Sequence, residues 1–268
     1  MPMAGETRAE ALARLYDLDL VEDPGDVAMY LGLAARTGGP IVDLGVGTGR
    51  LAVPLAAAGH DVVGVDTDPA MLDRARRRAA AAGPHVAGRL RLHRADMVEV
   101  ARTDLGAELE DGAHLVFIGL NTLLLLASAD RQRAALATMA RLLAPRGLAV
   151  VDTWLPGIED LMAFDSRISL DWLRTDPDTG REVTKLTAAW YGDSTRQLTL
   201  TTFFDEAEPG GPVTRWTRTD ELRLVSPDEL RAFAEAAGLE VEQVAGDHDL
   251  GPVGPDSERV VMVAVKPG

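Results

Sequence analysis

The sequence of 268 residues contains no cysteine. Disulfide bonds, thiolate nucleophiles and zinc–thiolate sites are therefore excluded. Basic residues are also scarce, because 27 Lys and Arg stand against 42 Asp and Glu and give a formal net charge of −15. Binding to nucleic-acid phosphates or to an anionic membrane surface depends on Lys and Arg, so we predict neither a nucleic-acid partner nor a membrane partner.

Long apolar runs are missing as well. No uninterrupted run approaches the roughly 20 residues that a membrane-spanning helix needs. The first residues show neither the basic start nor the apolar stretch of a secretory signal, and together with the lack of cysteine this predicts a cytoplasmic protein. Aromatic residues make up only 4% of the chain, yet all four tryptophans lie between positions 154 and 216.

The most informative stretch that is present is a glycine-rich segment near residue 45. Residues 41–44, which are apolar apart from Asp43, predict a buried parallel strand, and 51–58 predict a helix. Between them Gly45, Gly47 and Gly49 occupy alternate positions. A strand, a glycine loop and a helix N-terminus let the backbone approach a ligand closely and direct free N–H groups towards it.

The glycine spacing distinguishes between possible ligands. A dinucleotide-binding loop has the pattern G-x-G-x-x-G, whereas this segment has D-x-G-x-G-x-G starting at Asp43. Arg50 stands where the dinucleotide pattern needs its third glycine. Asp66, which lies 66−43 = 23 residues beyond Asp43, ends the next predicted strand. Its carboxylate could accept hydrogen bonds from both ribose hydroxyls of a nucleoside.

These segments, 43–49 and 64–72, resemble the first two motifs of the class I S-adenosylmethionine (SAM)-dependent methyltransferases. The resemblance covers about residues 39–151 and 225–265. It implies an α/β fold with a doubly wound, seven-stranded, mostly parallel sheet whose last strand is antiparallel, and helices on both faces. It also implies SAM as cofactor, S-adenosyl-L-homocysteine (SAH) as product, and a transferase activity of class EC 2.1.1.-. An NAD-dependent oxidoreductase and a non-catalytic SAM-binding module remain the alternatives.

The resemblance also implies which residues bind the cofactor. Asp96 would accept a hydrogen bond from the adenine amine and Met97 would pack on the ring; the alternative for Asp96, a helix cap, is compatible with this role. Residues 119–121, at the end of the fourth predicted strand, would lie along the methionine tail. The full set for cofactor binding is Tyr16, Asp43, Gly45, Gly47, Gly49, Asp66, Thr67, Met71, Asp96, Met97, Gly119, Leu120 and Asn121.

Three regions follow from the pattern of elements. Residues 1–38 predict an N-terminal helical cap with helices over 6–19 and 25–36. Residues 39–167 and 226–268 predict the SAM-binding core. Residues 168–225 alternate between apolar and polar positions and predict an antiparallel β insert. In the resembled family such an insert carries the substrate pocket and in some members a dimer contact, so we predict a possible homodimer through it.

Candidates for substrate binding are aromatic. Tyr16 is a candidate for covering the cofactor and Tyr30 for contacting the substrate, although both could be ordinary helix-packing residues. Trp154, Trp190 and Trp216 are further substrate-binding candidates, and the alternative is that they build the core of the insert.

The predicted reaction is a direct in-line displacement that moves a methyl group to nitrogen or oxygen of a small molecule. This chemistry needs no metal and no covalent nucleophile, so no metal site is predicted. Asn121 is followed by Thr-Leu-Leu rather than Pro-Pro-Tyr, so the signature of nucleic-acid and protein amide methyltransferases is absent. Among five histidines, His248 is the candidate general base because it lies in a loop that could face the cleft.

Overall fold

The computed structural model describes residues 6–106, 109–192 and 196–268. The chain divides into two compact units. The first, here called the core unit, comprises Asp23–Leu155 and Val225–Gly268. The second, here called the insert unit, comprises the described residues through Glu22 together with Pro156–Leu224.

The core unit is built on a seven-stranded sheet. Its strands are β1 (Ile41–Leu44), β2 (Val62–Asp66), β3 (Leu90–Arg94), β4 (Ala113–Ile118), β5 (Leu143–Trp154), β10 (Glu240–Ala245) and β11 (Arg259–Val265). Their order across the sheet is β10-β11-β5-β4-β1-β2-β3. The pairs among β1 to β5 are parallel, whereas β11 runs antiparallel to both β5 and β10. The predicted fold class is therefore confirmed.

Burial explains why these segments form central strands. All four residues of β1 are buried, and five of the six residues of β4 are buried. A strand that is covered on both faces needs a continuous apolar run, and that is the pattern of 115–118. The sheet carries the larger hydrophobic core, in which Ile41, Phe117 and Val150 are fully buried.

Helices cover both faces of this sheet. They are α2 (Asp26–Thr37), α3 (Ala52–Ala57), α4 (Pro69–Ala81), α5 (Pro84–Arg89), α6 (Ala129–Leu142) and α8 (Pro227–Ala236). Several begin at a side-chain cap: Asp68 accepts from the N–H of Ala70 at 2.8 Å, and Ser128 accepts from Arg131 at 3.2 Å. Such caps satisfy N–H groups that have no partner within the helix.

The insert unit is a four-stranded antiparallel sheet with helices α1 (Arg8–Asp19) and α7 (Ile158–Phe164). Its strands, in spatial and chain order, are β6 (Arg167–Thr175), β7 (Glu182–Gly192), β8 (Gln197–Ala207) and β9 (Thr214–Arg223). Leu15 and Leu18 of α1 pack with Val183 and Phe204 to form a second hydrophobic core. The alternating burial along β8 is what a sheet covered on one face requires.

The unit boundaries differ from the predicted domain boundaries. The predicted N-terminal cap, residues 1–38, is divided, because α1 belongs to the insert unit and α2 to the core unit. Helices α5 and α7 were not predicted from the sequence, because they are only 6 and 7 residues long and too short for a helical period to be recognisable. None of the helices in the described ranges combines the length and apolar character that crossing a bilayer requires.

Candidate cofactor and active site

The strand order places the candidate site. Starting from β1, the chain proceeds through β2 and β3 in one direction across the sheet, and then returns to place β4 on the other side of β1. In open α/β sheets, ligands bind outside the carboxyl ends of the strands at such a reversal. Asp43 of β1 is paired with Phe117 of β4, so the glycine loop after β1 and the turn after β4 leave the sheet side by side.

Backbone hydrogen bonds and positive φ angles shape the glycine loop. The N–H of Gly45 donates to the carbonyl of Val65 at 2.8 Å, which ties the loop to β2. The φ angles of Gly45, Gly47 and Gly49 are 88°, 53° and 78°. A Cβ atom on Gly45 would lie 2.4 Å from Cγ2 of Thr122, so a larger residue cannot fit there.

Asp66 holds the centre of this loop. Its Oδ2 accepts from the N–H of Gly47 at 2.9 Å, and its Oδ1 accepts from the N–H of Asp68 at 2.9 Å. Burial raises the pKa of Asp66, although these two backbone N–H groups oppose the shift. Each carboxylate oxygen has a second lone pair, so Asp66 can still accept hydrogen bonds from a ligand.

A cavity of about 380 Å³ opens beside Asp66. Its lining residues are Gly45, Val65, Asp66, Thr67, Ala95, Asp96, Met97, Thr122, Leu125, Leu126 and Arg131. Two carboxylates therefore lie on its wall together with the apolar side chains of Met97, Leu125 and Leu126. A nucleoside presents hydroxyl donors, an amine donor and a flat apolar ring, which are the groups this wall can accommodate.

Asp96 is held by two donors. Its Oδ1 accepts from the N–H of Val98 at 3.0 Å, and its Oδ2 accepts from Nη2 of Arg131 at 2.6 Å. Burial alone would raise the pKa of Asp96, but the Val98 N–H and the Arg131 guanidinium outweigh it and lower the pKa. Asp96 is therefore a fixed, ionised acceptor in the cavity.

Asp43, at the end of β1, is buried with 3% of its surface exposed. Burial raises its pKa to about 8, with the charges of Asp66 and Asp26 adding to the shift and Arg50 opposing it. Arg50 itself forms two hydrogen bonds of 2.6 Å with Asp26, so it links the glycine loop to α2. This contact gives a structural role to the residue that breaks the dinucleotide pattern.

The turn after β4 adopts an unusual backbone conformation. Leu120 and Asn121 have φ angles of 42° and 66°, in the left-handed region that non-glycine residues seldom occupy. Asn121 donates its N–H to the carbonyl of Asp152 at 3.1 Å and accepts from the N–H of Trp154 at 2.5 Å through its side-chain oxygen. These bonds fasten the turn to β5.

His248 lies between two acceptors. Its Nε2 is 3.2 Å from Oδ2 of Asp152, and its Nδ1 is 3.2 Å from the carbonyl oxygen of Pro24. An imidazole ring can donate to both only when both nitrogens carry protons. The hydrogen bond to Asp152 raises the pKa of His248 despite its burial. Both ring nitrogens of His248 therefore face acceptors within the protein, an arrangement that disfavours its predicted role as a general base.

Asp26, Asp152 and His248 bring one potential metal-ligand atom each to within 4.8 Å of one another. Both carboxylates already have cationic partners. Asp26 pairs with Arg50, and Asp152 accepts from Nε of Arg259 at 2.9 Å. The three residues are therefore part of a network of buried ion pairs.

Tyr30 is fully buried on α2, and its ring centroid lies 4.5 Å from that of Phe117. Its hydroxyl group has no hydrogen-bond partner among the described residues and lies 3.4 Å from the position of a Cβ on Gly119. Burial raises the pKa of Tyr30, and the charges of Asp152 and Asp26 add to the shift. A buried hydroxyl without a partner is costly, so this one is available to a ligand group.

The cavity wall includes five of the thirteen residues predicted for cofactor binding: Gly45, Asp66, Thr67, Asp96 and Met97. Asp43, Gly47 and Gly49 lie in or beside the glycine loop, and Gly119, Leu120 and Asn121 form the adjoining turn. Met71, on α4, is not part of the wall. Tyr16 lies on α1 in the insert unit. The cofactor-binding role of each of these residues stays a prediction.

The four aromatic substrate candidates have different environments. Tyr30 is buried in the core unit, and Trp154 is half-buried at the end of β5. In the insert unit, Trp216 donates from Nε1 to Glu206 at 3.1 Å and packs against the core of that unit. Trp190 is 59% exposed. The environment of Trp216 therefore fits the alternative that the sequence left open, a role in the core of the insert.

Several residues around the site were not predicted from the sequence. Thr122, Leu125, Leu126 and Arg131 line the cavity but were not predicted to bind the cofactor. Asp152 was not predicted as a site residue either. The sequence does offer a signal for it, because an acid inside the apolar segment 148–153 would be buried, and a buried carboxylate needs partners. For Arg131 the sequence offers no comparable signal.

The fold and the reversal beside β1 are those of the class I SAM-dependent methyltransferases, and SAM is the cofactor of this class. The sequence itself matches a family described as a methyltransferase domain over residues 41–147. This match covers the glycine loop and extends through β4.

Known structures share this architecture. The CcbJ methyltransferase from Streptomyces caelestis is 28% identical, with a TM-score of 0.76 over 92% of this chain and 98% of that one. KedS8, a sugar N-methyltransferase from Streptoalloteichus sp., is 24% identical, with a TM-score of 0.71 over 95% of this chain and 92% of that one. SAM-bound CalS10, an amino pentose methyltransferase from Micromonospora echinaspora, is 23% identical, with a TM-score of 0.66 over 98% and 93% of the two chains.

A curated sequence relative matches only a short segment. An uncharacterized RNA methyltransferase from Parasynechococcus marenigrum is 49% identical over 49 residues, which are 18% of this chain and 10% of that protein. The chain therefore spans a small fraction of that relative.

Proposed function

We propose that this methyltransferase transfers a methyl group from SAM to a nitrogen or oxygen atom of a small molecule by direct in-line displacement, and that an amine nitrogen is the favoured acceptor. The observation that supports an amine most directly is the engagement of His248, whose two ring nitrogens both face acceptors. An amine that arrives neutral needs no protein base, whereas a phenol or alcohol is helped by one.

The cavity residues would orient the cofactor. The carboxylate of Asp66 would accept the ribose hydroxyls, and Asp96 would accept the adenine amine while Met97 packs against the ring. The turn 119–121 would lie along the methionine tail. The bound sulfonium supplies the reactive methyl group, and the protein supplies alignment and exclusion of water.

The described activities of structurally similar proteins support a small amine acceptor. KedS8 is described as a sugar N-methyltransferase and CalS10 as an amino pentose methyltransferase. The resemblance to them extends over at least 95% of this chain, including the insert unit. We therefore propose an amino sugar or similarly small amine as the acceptor class.

Nucleic acid is a weaker candidate acceptor. The short match to an RNA methyltransferase covers less than a fifth of the chain, and the net charge of −15 opposes binding to phosphates. An oxidoreductase acting with NAD is opposed by Arg50 in place of the third dinucleotide glycine and by the methyltransferase-domain match. A non-catalytic SAM-binding module remains an outcome of the test.

The test is an assay of SAH release from SAM with a panel of amino sugars, hydroxyl-only sugars of the same size, phenols and a short RNA. We expect release with at least one amino sugar and none with its hydroxyl counterpart. Asp66→Ala in the same assay controls for release that does not depend on this site. Release with RNA or phenols alone would contradict the proposed acceptor, and no release despite tight SAH binding would favour a binding module.

A further inference from the structure

Asp152 joins three separate parts of the core unit. It lies on β5 with a fully buried side chain. Its Oδ1 accepts from Nε of Arg259 on β11 at 2.9 Å, and its Oδ2 lies 3.2 Å from Nε2 of His248 in the loop between β10 and β11. The N–H of Leu120, in the turn after β4, points to the same Oδ2 at 3.4 Å. A buried carboxylate with this many hydrogen-bond donors is held in one position.

The turn that Asp152 contacts needs external support. Leu120 and Asn121 both have positive φ, and left-handed conformations of residues with a Cβ are unfavourable unless the surroundings enforce them. Asp152 contributes twice, because its main-chain carbonyl also accepts from the N–H of Asn121 at 3.1 Å. The side-chain and main-chain acceptors of one residue therefore hold two consecutive strained residues.

This turn determines the shape of the cofactor cavity. Thr122, which follows Asn121 directly, packs against the glycine loop so closely that no side chain fits at Gly45. Thr122 also lines the cavity, as do Leu125 and Leu126 in the next turn of chain. A displacement of residues 120–121 would move this wall.

Charge balance keeps the Asp152 carboxylate in place. Arg259 and His248 are its two ion-pair partners, and Asp26 of α2 places a second carboxylate within 4.8 Å of both Asp152 and His248. Burial would raise the pKa of Asp152, but the hydrogen bond from His248 and the charge of Arg259 lower it. At neutral pH the carboxylate is therefore ionised and held between its two partners.

We propose that Asp152 is a positioning residue that fixes the left-handed turn 120–121 and, through it, the cofactor-facing wall at Thr122, with protonated His248 as one of its two counter-ions. This inference rests on the proposed function, because it assumes that the cavity beside this turn holds SAM. Asp152 acts through the turn and does not itself touch the reacting atoms.

The first test is isothermal titration of Asp152→Asn with SAH. Asparagine keeps the size of the side chain but cannot balance Arg259 and His248, so we expect the Kd to rise by about tenfold or more. Val150→Ala is the matched control: it lies on the same strand, is fully buried and lacks any polar role. It is expected to lower the melting temperature without changing the Kd for SAH by more than about twofold.

The second test uses His248→Gln and does not depend on Asp152→Asn remaining folded. Glutamine can donate to Asp152 but does not titrate. Because the pKa of His248 is raised, wild-type His248 loses its proton only as the pH rises above its ordinary range. We expect the ratio of the Kd of His248→Gln to that of wild type to fall by about threefold or more between about pH 6 and pH 9. The titration of Asp43 is common to both proteins and cancels in this ratio.

The outcomes separate this inference from the proposed function. If wild-type protein does not bind SAH, the proposed function fails. If wild type binds SAH but Asp152→Asn binds it equally well, or if the His248→Gln ratio does not change with pH, the positioning role of Asp152 is wrong and the cofactor assignment stands. Equal weakening by Asp152→Asn and Val150→Ala would also overturn the inference, because general destabilisation would then explain the loss.

Discussion

The carboxylate of Asp66 accepts a hydrogen bond from the N–H of Gly47 at 2.9 Å, so the residue at the end of β2 holds the glycine loop that follows β1. The same carboxylate lines the cavity. Asp66 therefore both holds the loop and presents a hydrogen-bond acceptor to the cavity. A single substitution there affects both the shape and the chemistry of the candidate site.

Replacing Asp66 with alanine is expected to weaken SAH binding by about 1–3 kcal/mol, because charge-assisted hydrogen bonds to the ribose would be lost. Isothermal titration measures this directly. Asp73→Ala is the control, since it removes an exposed carboxylate from α4 in the same unit. Unchanged affinity in Asp66→Ala would remove Asp66 from the cofactor site.

Asp43→Asn is expected to alter how stability depends on pH. The folded pKa of Asp43 is raised to about 8, so the folded state holds this proton more tightly than the unfolded state does, where the pKa is about 3.9. Its contribution to stability is fully present below about pH 4 and is lost as the pH rises towards 8. Wild type should therefore lose stability relative to Asp43→Asn across this range.

Urea unfolding of both proteins at several pH values between 5 and 8.5 measures this difference. Its slope is at most about 1.4 kcal/mol per pH unit, the value for one full proton. All other titrating groups are shared by the two proteins. Parallel stability curves would show that Asp43 is already ionised in the folded protein.

The insert unit has a buried ion cluster, and removing its cation should lower the stability of the protein. Arg14 of α1 is 3% exposed and pairs with Glu6, Asp176 and Glu206. Arg14→Met would remove the cation that Glu6, Asp176 and Glu206 share and leave Glu206 with the longer 3.8 Å pair to Arg181. Breaking such a buried cluster costs about 3–5 kcal/mol. The urea concentration at the midpoint of unfolding should therefore be markedly lower for Arg14→Met than for wild type. Arg36→Met, which breaks an exposed pair with Glu242, is the comparison and should cost about 1 kcal/mol or less. Similar midpoints for the two variants would contradict this account.

One face of the insert sheet carries exposed apolar side chains, and from them we predict that the protein self-associates. Ile168, Leu170, Leu173 and Trp190 are 59–69% exposed, and the register places them on the face opposite the core formed with α1. A contiguous exposed apolar face of this kind marks an interaction site, and a second copy of the chain can bury it symmetrically. We predict a homodimer through this face.

Light scattering should give a mass of twice 28.6 kDa for wild type and a monomer for Leu170→Lys. Val213→Lys is the control, because Val213 is 63% exposed in the turn between β8 and β9 and lies outside this face. A monomeric wild type at micromolar concentration would refute the prediction.

The core unit was predictable because its signals are local. The apolar run of β4, the glycine loop and the cap at Asp68 each follow from a few neighbouring residues. Their spatial arrangement came from the family resemblance, and the strand order confirms it. Boundaries were less predictable: β5 begins at Leu143, before the turn around Arg146, because its first residue already pairs with Ala113.

The site was predictable only in part. Asp66 and Asp96 follow strands and could be located from sequence, whereas Arg131 reaches Asp96 across 35 positions of chain. His248 could be identified as a loop histidine, but its contact with Asp152, 96 residues away, could not. Together with the contact to the Pro24 carbonyl, it engages the ring nitrogens that a general base would use. Long-range pairs of this kind depend on tertiary structure and leave no mark in a single sequence.

Isothermal titration of the purified protein with SAH, with NAD as the parallel ligand, tests the central claim most directly. The account predicts micromolar binding of SAH and no binding of NAD. Binding of NAD without SAH would contradict it, because the glycine loop and Asp66 would then serve a dinucleotide.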